Sequence, residues 1–342
     1  MENGMRQGDL CLVTGVSGYL ASWIGHHLIE QGYRVRGTVR NTQNREQQEK
    51  LRTLLPGAEF VEADLRRESG WAEAVRGVKW VFHVASPQAV ASEKDRTGGA
   101  VRGTEYLLRA AFGEPSVEKV VLTSSEAAIA YGYPRSKQRF TEDDWTVVDG
   151  PAGRNDYFRS KTMAEKLAWD LAADAKANSR RVPLAVVNPG FIAGPSLVPW
   201  GRFSLEMLKN ITLGKMPAFP DMVNHMVDVR DCALMHIAVM QNPQTNGRRH
   251  FSFGITSKMA NMAKSIRSQY GHLGYKPRSF VIPTSVFWAL KWFSSDVASL
   301  YGKLGHANEY VAKHPGVYRY RYTDLDRLMK DSVDSMLEHG WL

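Results

Sequence analysis

The chain has 342 residues, of which 43% are hydrophobic; this is enough for a large core and excludes a largely disordered chain. Its formal charge is +9, but the basic residues are scattered and form no block typical of a nucleic-acid-binding arm. We therefore expect a small-molecule partner and no nucleic acid. Cys11 and Cys232 lie in an apolar and a helical run without metal-ligand spacing, and we expect buried, reduced thiols and no metal site.

Short strand patterns alternate with helical ones through the first half of the chain. Short apolar or β-branched runs predict strands at 10–14, 33–39, 58–62, 80–85, 119–123 and 184–188. Helical spacing predicts helices at 19–31, 44–55, 99–112 and 155–175. This alternation predicts an α/β fold with a doubly wound parallel sheet. We expect a nucleotide-binding domain over 1–194 and a smaller, mainly substrate-binding C-terminal lobe over 195–342, with some segments returning to the first domain.

The most apolar stretch of the chain covers residues 281–301. Pro283, Lys291 and Asp296 interrupt it, so it is too polar for a spanning segment. We expect no membrane span and a helix packed within the lobe, although contact with a membrane surface stays open. The first nine residues lack the apolar segment of a secretory signal, and we expect a cytoplasmic protein.

A glycine turn joins the first predicted strand to the first helix. Gly15 and Gly18, with Ala21 in place of a third glycine, give the spacing G-x-x-G-x-x-A. Gly15 permits a tight turn, and Gly18 lets the backbone approach a pyrophosphate at the helix N-terminus. The position between strand and helix predicts a dinucleotide site that includes Tyr19 and Leu20.

Three residues after the next strands concern the adenosine end of that site. Arg40 stands where an acidic residue would bind the ribose 2′-hydroxyl of NAD; a cation there accommodates the 2′-phosphate of NADP(H) instead. A solvated surface arginine is the alternative. Asp64 suits a polar contact to adenine or a helix N-cap, and Leu65 beside it is assigned to the same site.

Tyr157 and Lys161 lie one helical turn apart on one helix face. A free tyrosine has a pKa of about 10, and a neighbouring ammonium stabilises its phenolate and lowers that pKa. The phenol can then protonate a carbonyl oxygen as hydride arrives. Ser125 ends a strand, where its hydroxyl could bind the same oxygen; Ser124 is its competitor.

The same spacing occurs a second time, at Tyr133 and Lys137. Pro134 and the polar residues after it lack apolar periodicity, whereas Tyr157 opens an amphipathic run. Tyr133 also follows Ser125 too closely for a separate helix to return to that strand end. We therefore assign catalysis to Ser125, Tyr157 and Lys161.

Together these motifs resemble the extended short-chain dehydrogenase/reductase family, in its dihydroflavonol reductase and carbonyl reductase branch. The turn TGVSGYLAS and the tyrosine helix YFRSKTMAEKLAW are the most specific. Further matching segments are VRGTVR, ADL, VFHVASP, VLTSS, TEDDW, NPGFIAGP and VDVRD. The resemblance implies a Rossmann fold and hydride transfer between a nicotinamide and a ketone, aldehyde or secondary alcohol.

The resemblance also implies further site residues. Val84 and Ala85 would line the cofactor, and Pro189, Gly190 and Ile192 would face the nicotinamide. His225 falls where dihydroflavonol reductases have a substrate-contacting glutamine. Candidate substrate residues are Ser86, Glu126, Phe203, Met207, His225 and Met226.

Two departures from the branch bear on the substrate. Glu126 follows Ser125 where a small residue is common, and it would disfavour acidic substrates if it points inward. The cysteine-containing signature of cinnamoyl-CoA reductases is absent near Tyr157, so reduction of a CoA thioester is not expected.

Two other functions stay open. One is a 3β-hydroxysteroid dehydrogenase-like activity on a bulky hydrophobic alcohol, which an aromatic lobe would tolerate. The other is a non-catalytic NADP-binding sensor, although a sensor needs none of Ser125, Tyr157 and Lys161. The sequence permits a monomer or a homodimer.

Overall fold

The computed structural model describes residues 4–86, 96–150, 155–200 and 203–342. The strands are β1 (Leu10–Val13), β2 (Arg34–Val39), β3 (Glu59–Glu62), β4 (Trp80–His83), β5 (Lys119–Thr123), β6 (Arg139–Phe140), β7 (Leu184–Pro189), β8 (Phe191–Ala193), β9 (Ala218–Pro220), β10 (Val223–Asp228), β11 (Arg249–Ser252), β12 (Ile255–Lys258), β13 (Phe280–Ile282) and β14 (Glu309–Tyr310). The helices are α1 (Tyr19–Glu30), α2 (Arg45–Leu54), α3 (Trp71–Val75), α4 (Arg96–Gly113), α5 (Asp156–Ala173), α6 (Phe203–Thr212), α7 (Val229–Gln241), α8 (Met259–Tyr270), α9 (Thr284–Leu290), α10 (Ser295–Tyr301) and α11 (Leu325–Glu338).

A seven-stranded sheet in the order β11-β7-β5-β4-β1-β2-β3 forms the centre of the molecule. All its neighbouring strands are parallel. The chain builds outward from β1 through β2 to β3, and then restarts with β4 on the other side of β1. Open parallel sheets bind ligands at such a switch point, outside the carboxyl ends of the strands. The segments after β1 and β4 therefore frame the expected ligand site.

Side chains of β1 show why both faces of this sheet are covered. Leu10 and Leu12 enter one buried cluster, which α3 and α4 help to form, whereas Cys11 and Val13 enter another with residues of α1 and α7. Successive strand residues point to opposite faces, so an uninterrupted apolar strand buries both. The predicted doubly wound fold is confirmed. Cys11 and Cys232 are buried and free, as expected.

The second half of the chain adds three small sheets and several helices. β8 and β10 are parallel, β10 and β12 are antiparallel, and the parallel pairs β9–β13 and β6–β14 stand apart from them. β11 joins the edge of the central sheet, although the sequence predicted no strand there. Arg249 and His250 interrupt its apolar pattern, and both are nevertheless buried. A period-two apolar pattern could not reveal such a strand.

The prediction of one packed helix at 281–301 is wrong. This stretch divides into part of β13 and the short helices α9 and α10, and no residue of α9 is buried. Trp292 and Phe293, which follow α9, are 74% and 88% exposed. No helix in the described part of the chain is long and apolar enough to cross a bilayer.

Candidate active site

In the glycine turn after β1, both glycines lie too close to neighbouring atoms to carry a side chain without strain. Gly15 has φ +63°, and a Cβ on it would lie 3.1 Å from the Cβ of Ala85. A Cβ on Gly18 would lie 3.0 Å from the Gly15 carbonyl oxygen, to which the Gly18 N–H donates. Side chains at these positions would strain the turn and fill the space over the helix N-terminus. The turn therefore leaves backbone exposed beside the end of β4.

The N-terminus of α1 fits a phosphate group. Gly18 is the N-cap, and no described side chain caps the first-turn N–H groups. Such groups, with the positive end of the helix dipole, bind anions. Tyr19 and Leu20 are buried, and the Tyr19 hydroxyl donates to the Gly194 carbonyl at 2.8 Å. Their side chains therefore pack inward and leave their N–H groups as the possible phosphate contacts.

Thr14 joins the ends of β1 and β4. Its Oγ1 accepts hydrogen bonds from the N–H groups of Val84 and Ala85 at 3.0 and 2.9 Å, and it lies 3.1 Å from Nδ1 of His83. This clamp holds the two residues predicted to line the cofactor against the glycine turn. Ser86, the next residue, is half-buried at the same sheet edge.

Three charged residues near β2 and β3, Arg40, Arg36 and Asp64, differ in whether another side chain already binds them. Arg40 is exposed directly after β2, and no ion pair within the described residues involves it. Arg36 instead pairs with Glu59 at 2.8 Å and donates to the carbonyls of Ala74 in α3 and Arg76 after it, so it is not available for a phosphate. Asp64 is buried and accepts from Arg66, which lowers its pKa.

Asp64 does not cap a helix, because α3 begins only at Trp71 with Gly70 as its N-cap. The helix-cap alternative is therefore wrong, and the adenine contact stays a prediction. Leu65 packs tightly on α4, where a Cβ on Gly103 would lie 2.6 Å from the Leu65 Cβ.

Tyr157 and Ser125 meet at the carboxyl edge of the sheet. Asn155 caps α5 by accepting from the N–H groups of Tyr157 and Phe158 at 3.1 and 3.2 Å, which fixes where the tyrosine helix starts. The Tyr157 hydroxyl then lies 3.4 Å from Oγ of Ser125, which follows β5. A substrate oxygen could accept hydrogen bonds from both hydroxyls.

Lys161 lies one turn further along α5 and donates to the Thr123 carbonyl at 3.4 Å. Burial lowers the pKa of Lys161 to about 8, and the Glu165 carboxylate opposes this effect. The residues Tyr157, Lys161 and Glu165 follow at four-residue intervals and share one helix face. Tyrosine, lysine and serine are thus brought together.

A buried network that the sequence did not predict supports this group. Glu165 accepts from Ser124 at 2.5 Å, from Asn188 at 2.9 Å and from Arg249 at 2.6 Å. Asn188 also donates to the Ser125 carbonyl at 3.2 Å. Ser124 therefore points into this network, and Ser125 is the serine that faces Tyr157. In the sequence Arg249 reads as a polar interruption, and only its burial in the structure shows that it needs a charged partner, since buried charges are paired.

Glu126, directly after Ser125, is also buried and is engaged by the C-terminal lobe. Its carboxylate accepts from the Lys303 ammonium and from the Tyr310 hydroxyl. The ammonium also lies 4.2 Å from the ring centroid of Tyr131, which stacks on Phe158 at 3.9 Å. We call Glu126, Lys303, Tyr310 and Tyr131 the lobe clasp.

The charges of the lobe clasp compensate each other. Burial alone would raise the pKa of Glu126, but Lys303 holds it below its ordinary value; burial alone would lower the pKa of Lys303, but Glu126 holds it well above. Both groups are therefore ionised together. The Lys303 ammonium compensates the negative charge of Glu126, and the effect of Glu126 on acidic substrates stays a prediction.

His225 lies against the lobe clasp, and Met226 does not. The His225 ring is 4.4 Å from the Tyr310 ring and 5.1 Å from the Phe253 ring, and its Nδ1 has no hydrogen-bond partner among the described residues. Met226 is the next residue of β10, faces the opposite side and is fully buried in the main core. Its assignment to the substrate pocket is therefore wrong.

The remaining predicted site residues lie around β7 and β8 and on α6. A Cβ on Gly190 would lie 2.1 Å from the His225 carbonyl oxygen, so only glycine permits this approach. Pro189 ends β7, and Ile192 is half-buried in β8. Met207 packs partly buried against the main core, and the Phe203 side chain lies outside the described residues.

The alternative pair Tyr133 and Lys137 lies outside any helix. The Tyr133 hydroxyl donates to the Trp145 carbonyl at 2.7 Å, and Lys137 pairs with Asp144 at 2.7 Å. Both groups are therefore engaged away from Ser125.

A metal site needs several histidine, cysteine or carboxylate side chains close together. In the described part of the chain, His26, His27 and Glu30 form the one group of three such residues whose potential ligand atoms lie within 4.8 Å of one another. Both imidazoles contact the Glu30 carboxylate, at 3.2 and 2.9 Å, on the outside of α1. These hydrogen bonds explain the cluster without an ion.

A parallel sheet with a glycine turn at its switch point, and a tyrosine, lysine and serine at the adjoining edge, define a nucleotide-dependent oxidoreductase. Residues 11–254 match the NAD dependent epimerase/dehydratase family, and the chain belongs to this family. It is an NAD(P)-dependent oxidoreductase of the extended short-chain dehydrogenase type, as the sequence motifs predicted.

The relatives of the chain include several reductases. Cinnamoyl-CoA reductase 1 of Arabidopsis thaliana is 35% identical over 246 residues, which cover 70% of this chain and 69% of that protein. Vestitone reductase of Medicago sativa is 33% identical over 258 residues, covering 72% and 77%. Its crystal structure matches 98% of this chain and all of that chain with a TM-score of 0.72 and 25% identity.

A third relative shares the fold at lower identity. It is the yeast methylglyoxal/isovaleraldehyde reductase Gre2, complexed with NADPH in its crystal structure. The match has a TM-score of 0.76 and 22% identity, and covers 97% of this chain and 99% of that chain.

Proposed function

We propose that the chain is an NADP(H)-dependent reductase that converts a ketone or aldehyde into an alcohol, with Tyr157 as the general acid. The observation that carries this proposal is the 3.4 Å approach of the Tyr157 and Ser125 hydroxyls beside the switch point of the sheet. The same groups would serve the reverse oxidation of an alcohol, with Tyr157 as the base.

In this mechanism, Ser125 donates a hydrogen bond to the carbonyl oxygen and Tyr157 gives that oxygen a proton. The hydride would come from a nicotinamide held beside these residues. Loss of this proton turns the Tyr157 side chain into a phenolate. The Lys161 ammonium stabilises that phenolate, because an opposite charge nearby favours the ionised form. A pKa of about 8 keeps most of the Lys161 population cationic at neutral pH.

We propose further that Arg40 selects NADP(H) by binding the 2′-phosphate. Its exposed position after β2 supports this role, and so does the engagement of Arg36 with Glu59. Gly15, Gly18 and the first-turn N–H groups of α1 would hold the pyrophosphate. Lys161 would hold the nicotinamide ribose, and Val84, Ala85, Pro189, Gly190 and Ile192 would line the remainder.

For the substrate, we propose an uncharged, largely apolar ketone or aldehyde rather than a CoA thioester. The aromatic side chains around the lobe clasp support this choice. Tyr131 stacks on Phe158 beside Tyr157, and His225 contacts Phe253 and Tyr310. Aromatic walls bind apolar groups, and His225 offers one polar contact within them. Cinnamoyl-CoA reductases among the relatives make the CoA thioester the natural comparison substrate.

The experiment is oxidation of NADPH by the purified protein with a panel of aliphatic and aromatic ketones and aldehydes, and with cinnamoyl-CoA. We expect turnover with an apolar carbonyl compound and little with the thioester. Tight NADPH binding without turnover on any member, in either direction, would favour the sensor function. Faster turnover of the thioester would contradict the proposed substrate class.

A further inference from the structure

An exposed group of large apolar side chains lies on the C-terminal lobe, around α9. We call it the aromatic patch, and its members are Phe280, Val286, Trp288, Leu290, Trp292 and Phe293. Phe280, Trp288 and Phe293 are 64%, 56% and 88% exposed. Single exposed apolar residues are ordinary, but six exposed large apolar residues within 280–293 make this segment a candidate binding surface.

The segment that carries the aromatic patch is basic, and the nearest acidic residue in sequence is Asp296, three residues after Phe293. Residues 272–294 contain Lys276, Arg278 and Lys291 and no acidic residue. Lys276 and Arg278 are exposed, and the Lys291 ammonium lies 5.0 Å from the Trp292 ring centroid. The whole chain carries a formal charge of +9. The partner of the patch must therefore tolerate apolar contact and favour a negative surface.

We propose that the aromatic patch binds the surface of a lipid bilayer that contains anionic lipids. Tryptophan prefers the boundary between hydrocarbon and headgroups, and lysine and arginine beside it attract anionic headgroups. α9 has 7 residues, so it lies in this boundary and does not cross the bilayer.

A second copy of the chain is the less favourable occupant. In a two-fold symmetric dimer the patch would face itself, and its three cations would meet the same three cations. Like charges at an interface weaken association. A negatively charged lipid surface satisfies the apolar and the charged groups at once.

The aromatic patch is continuous with one wall of the candidate active site. The Lys291 ammonium lies 4.5 Å from the Tyr301 ring centroid at the end of α10. Leu300, in the same helix, packs in the apolar cluster that contains Tyr157 and Phe158. Docking of the patch would therefore bring the substrate side of the lobe close to the bilayer.

The test is sedimentation of the purified full-length protein with vesicles of phosphatidylcholine alone and of phosphatidylcholine with phosphatidylserine. We expect the native protein to bind the mixed vesicles, and the doubly substituted Trp292→Ser, Phe293→Ser protein to bind at least about tenfold more weakly. Leu213→Ser is the matched control, because Leu213 is an exposed leucine outside the patch. It should bind as the native protein does.

A second pair of variants tests the charges. Lys291→Gln should weaken binding to mixed vesicles about fivefold, since one basic residue near an anionic surface contributes on this order. Lys176→Gln, which removes an exposed lysine elsewhere, should not. Circular dichroism and NADPH binding confirm that each variant is folded. Trp288→Ser replaces the double variant if that protein fails to fold.

Three outcomes would overturn the proposal. One is a native protein that stays in the supernatant with both vesicle types. Another is equal binding of the native and patch-substituted proteins. The third is a native dimer in light scattering that the patch substitutions dissociate, without vesicle binding, which would identify a second copy as the occupant.

Discussion

The lobe clasp makes a specific prediction about Lys303. Its ammonium and the Glu126 carboxylate are both buried, and they join residues 177 positions apart in sequence. Lys303→Met keeps an unbranched apolar side chain of similar reach but removes the charge. It leaves Glu126 buried with the Tyr310 hydroxyl as its remaining donor in the clasp.

The expected cost follows from desolvation. Removing one partner of a buried ion pair destabilises a protein by about 3–5 kcal/mol, because the other charge stays buried without compensation. Replacing both partners with neutral groups is far less costly. We therefore expect Lys303→Met to lower the free energy of unfolding by about 3–5 kcal/mol, and the double variant with Glu126→Gln to regain most of this loss.

Urea denaturation followed by circular dichroism measures these differences, with the slope against urea checked for constancy between variants. Lys258→Met is the matched control, because Lys258 forms a half-exposed ion pair with Asp221 at 2.7 Å. Exposed pairs contribute about 0–1 kcal/mol. A loss for Lys303→Met no larger than for Lys258→Met, or a double variant less stable than the single one, would refute the reasoning.

Two further predictions concern other charged residues. Arg40→Ala should weaken NADPH binding by roughly ten- to a hundredfold and leave NADH binding nearly unchanged, since a charge-assisted hydrogen bond contributes about 1.5–3 kcal/mol. Isothermal titration measures both affinities, and Arg52→Ala, which removes an exposed arginine at the far end of α2, is the control. An unchanged ratio of the two affinities would make Arg40 a surface charge only. Burial lowers the pKa of Lys119 to about 7. Between this pH and the ordinary lysine pKa, the unfolded chain therefore holds a proton on Lys119 that the folded chain has released. The free energy of unfolding should rise with pH across this range. Urea denaturation at neutral and at alkaline pH should show a smaller rise for Lys119→Met, and an equal rise in both proteins would contradict this assignment.

The central sheet could be predicted because each of its first six strands carries a local signal. The run at 10–14 is almost wholly apolar, the run at 119–123 has an apolar Val-Val-Leu centre, and glycines or polar residues bound both. The helix of the proposed proton donor could be chosen for the same reason, since Tyr157 opens an amphipathic run and Tyr133 does not. Sequence patterns can thus predict an element when the residues that determine it are neighbours in the chain.

The features that were missed depend on contacts between distant segments. Arg249 reads as a polar interruption until Glu165 is placed beside it, 84 residues earlier in the chain. Lys303 and Glu126 look like surface charges until the lobe folds over the sheet edge. In 281–301, the apolar pattern indicated burial, but sequence cannot tell an apolar side chain that packs in the core from one that stays exposed.

The substitution Tyr157→Phe tests the account most directly, because it removes only the hydroxyl that would protonate the substrate. We expect turnover of NADPH with a carbonyl substrate to fall by about two to four orders of magnitude, as is usual for loss of a general acid. NADPH binding, measured by fluorescence titration, should stay close to the native value, and Tyr133→Phe should keep native turnover. Near-native turnover of Tyr157→Phe, or loss of turnover in Tyr133→Phe alone, would contradict the assignment of Tyr157 as the proton donor.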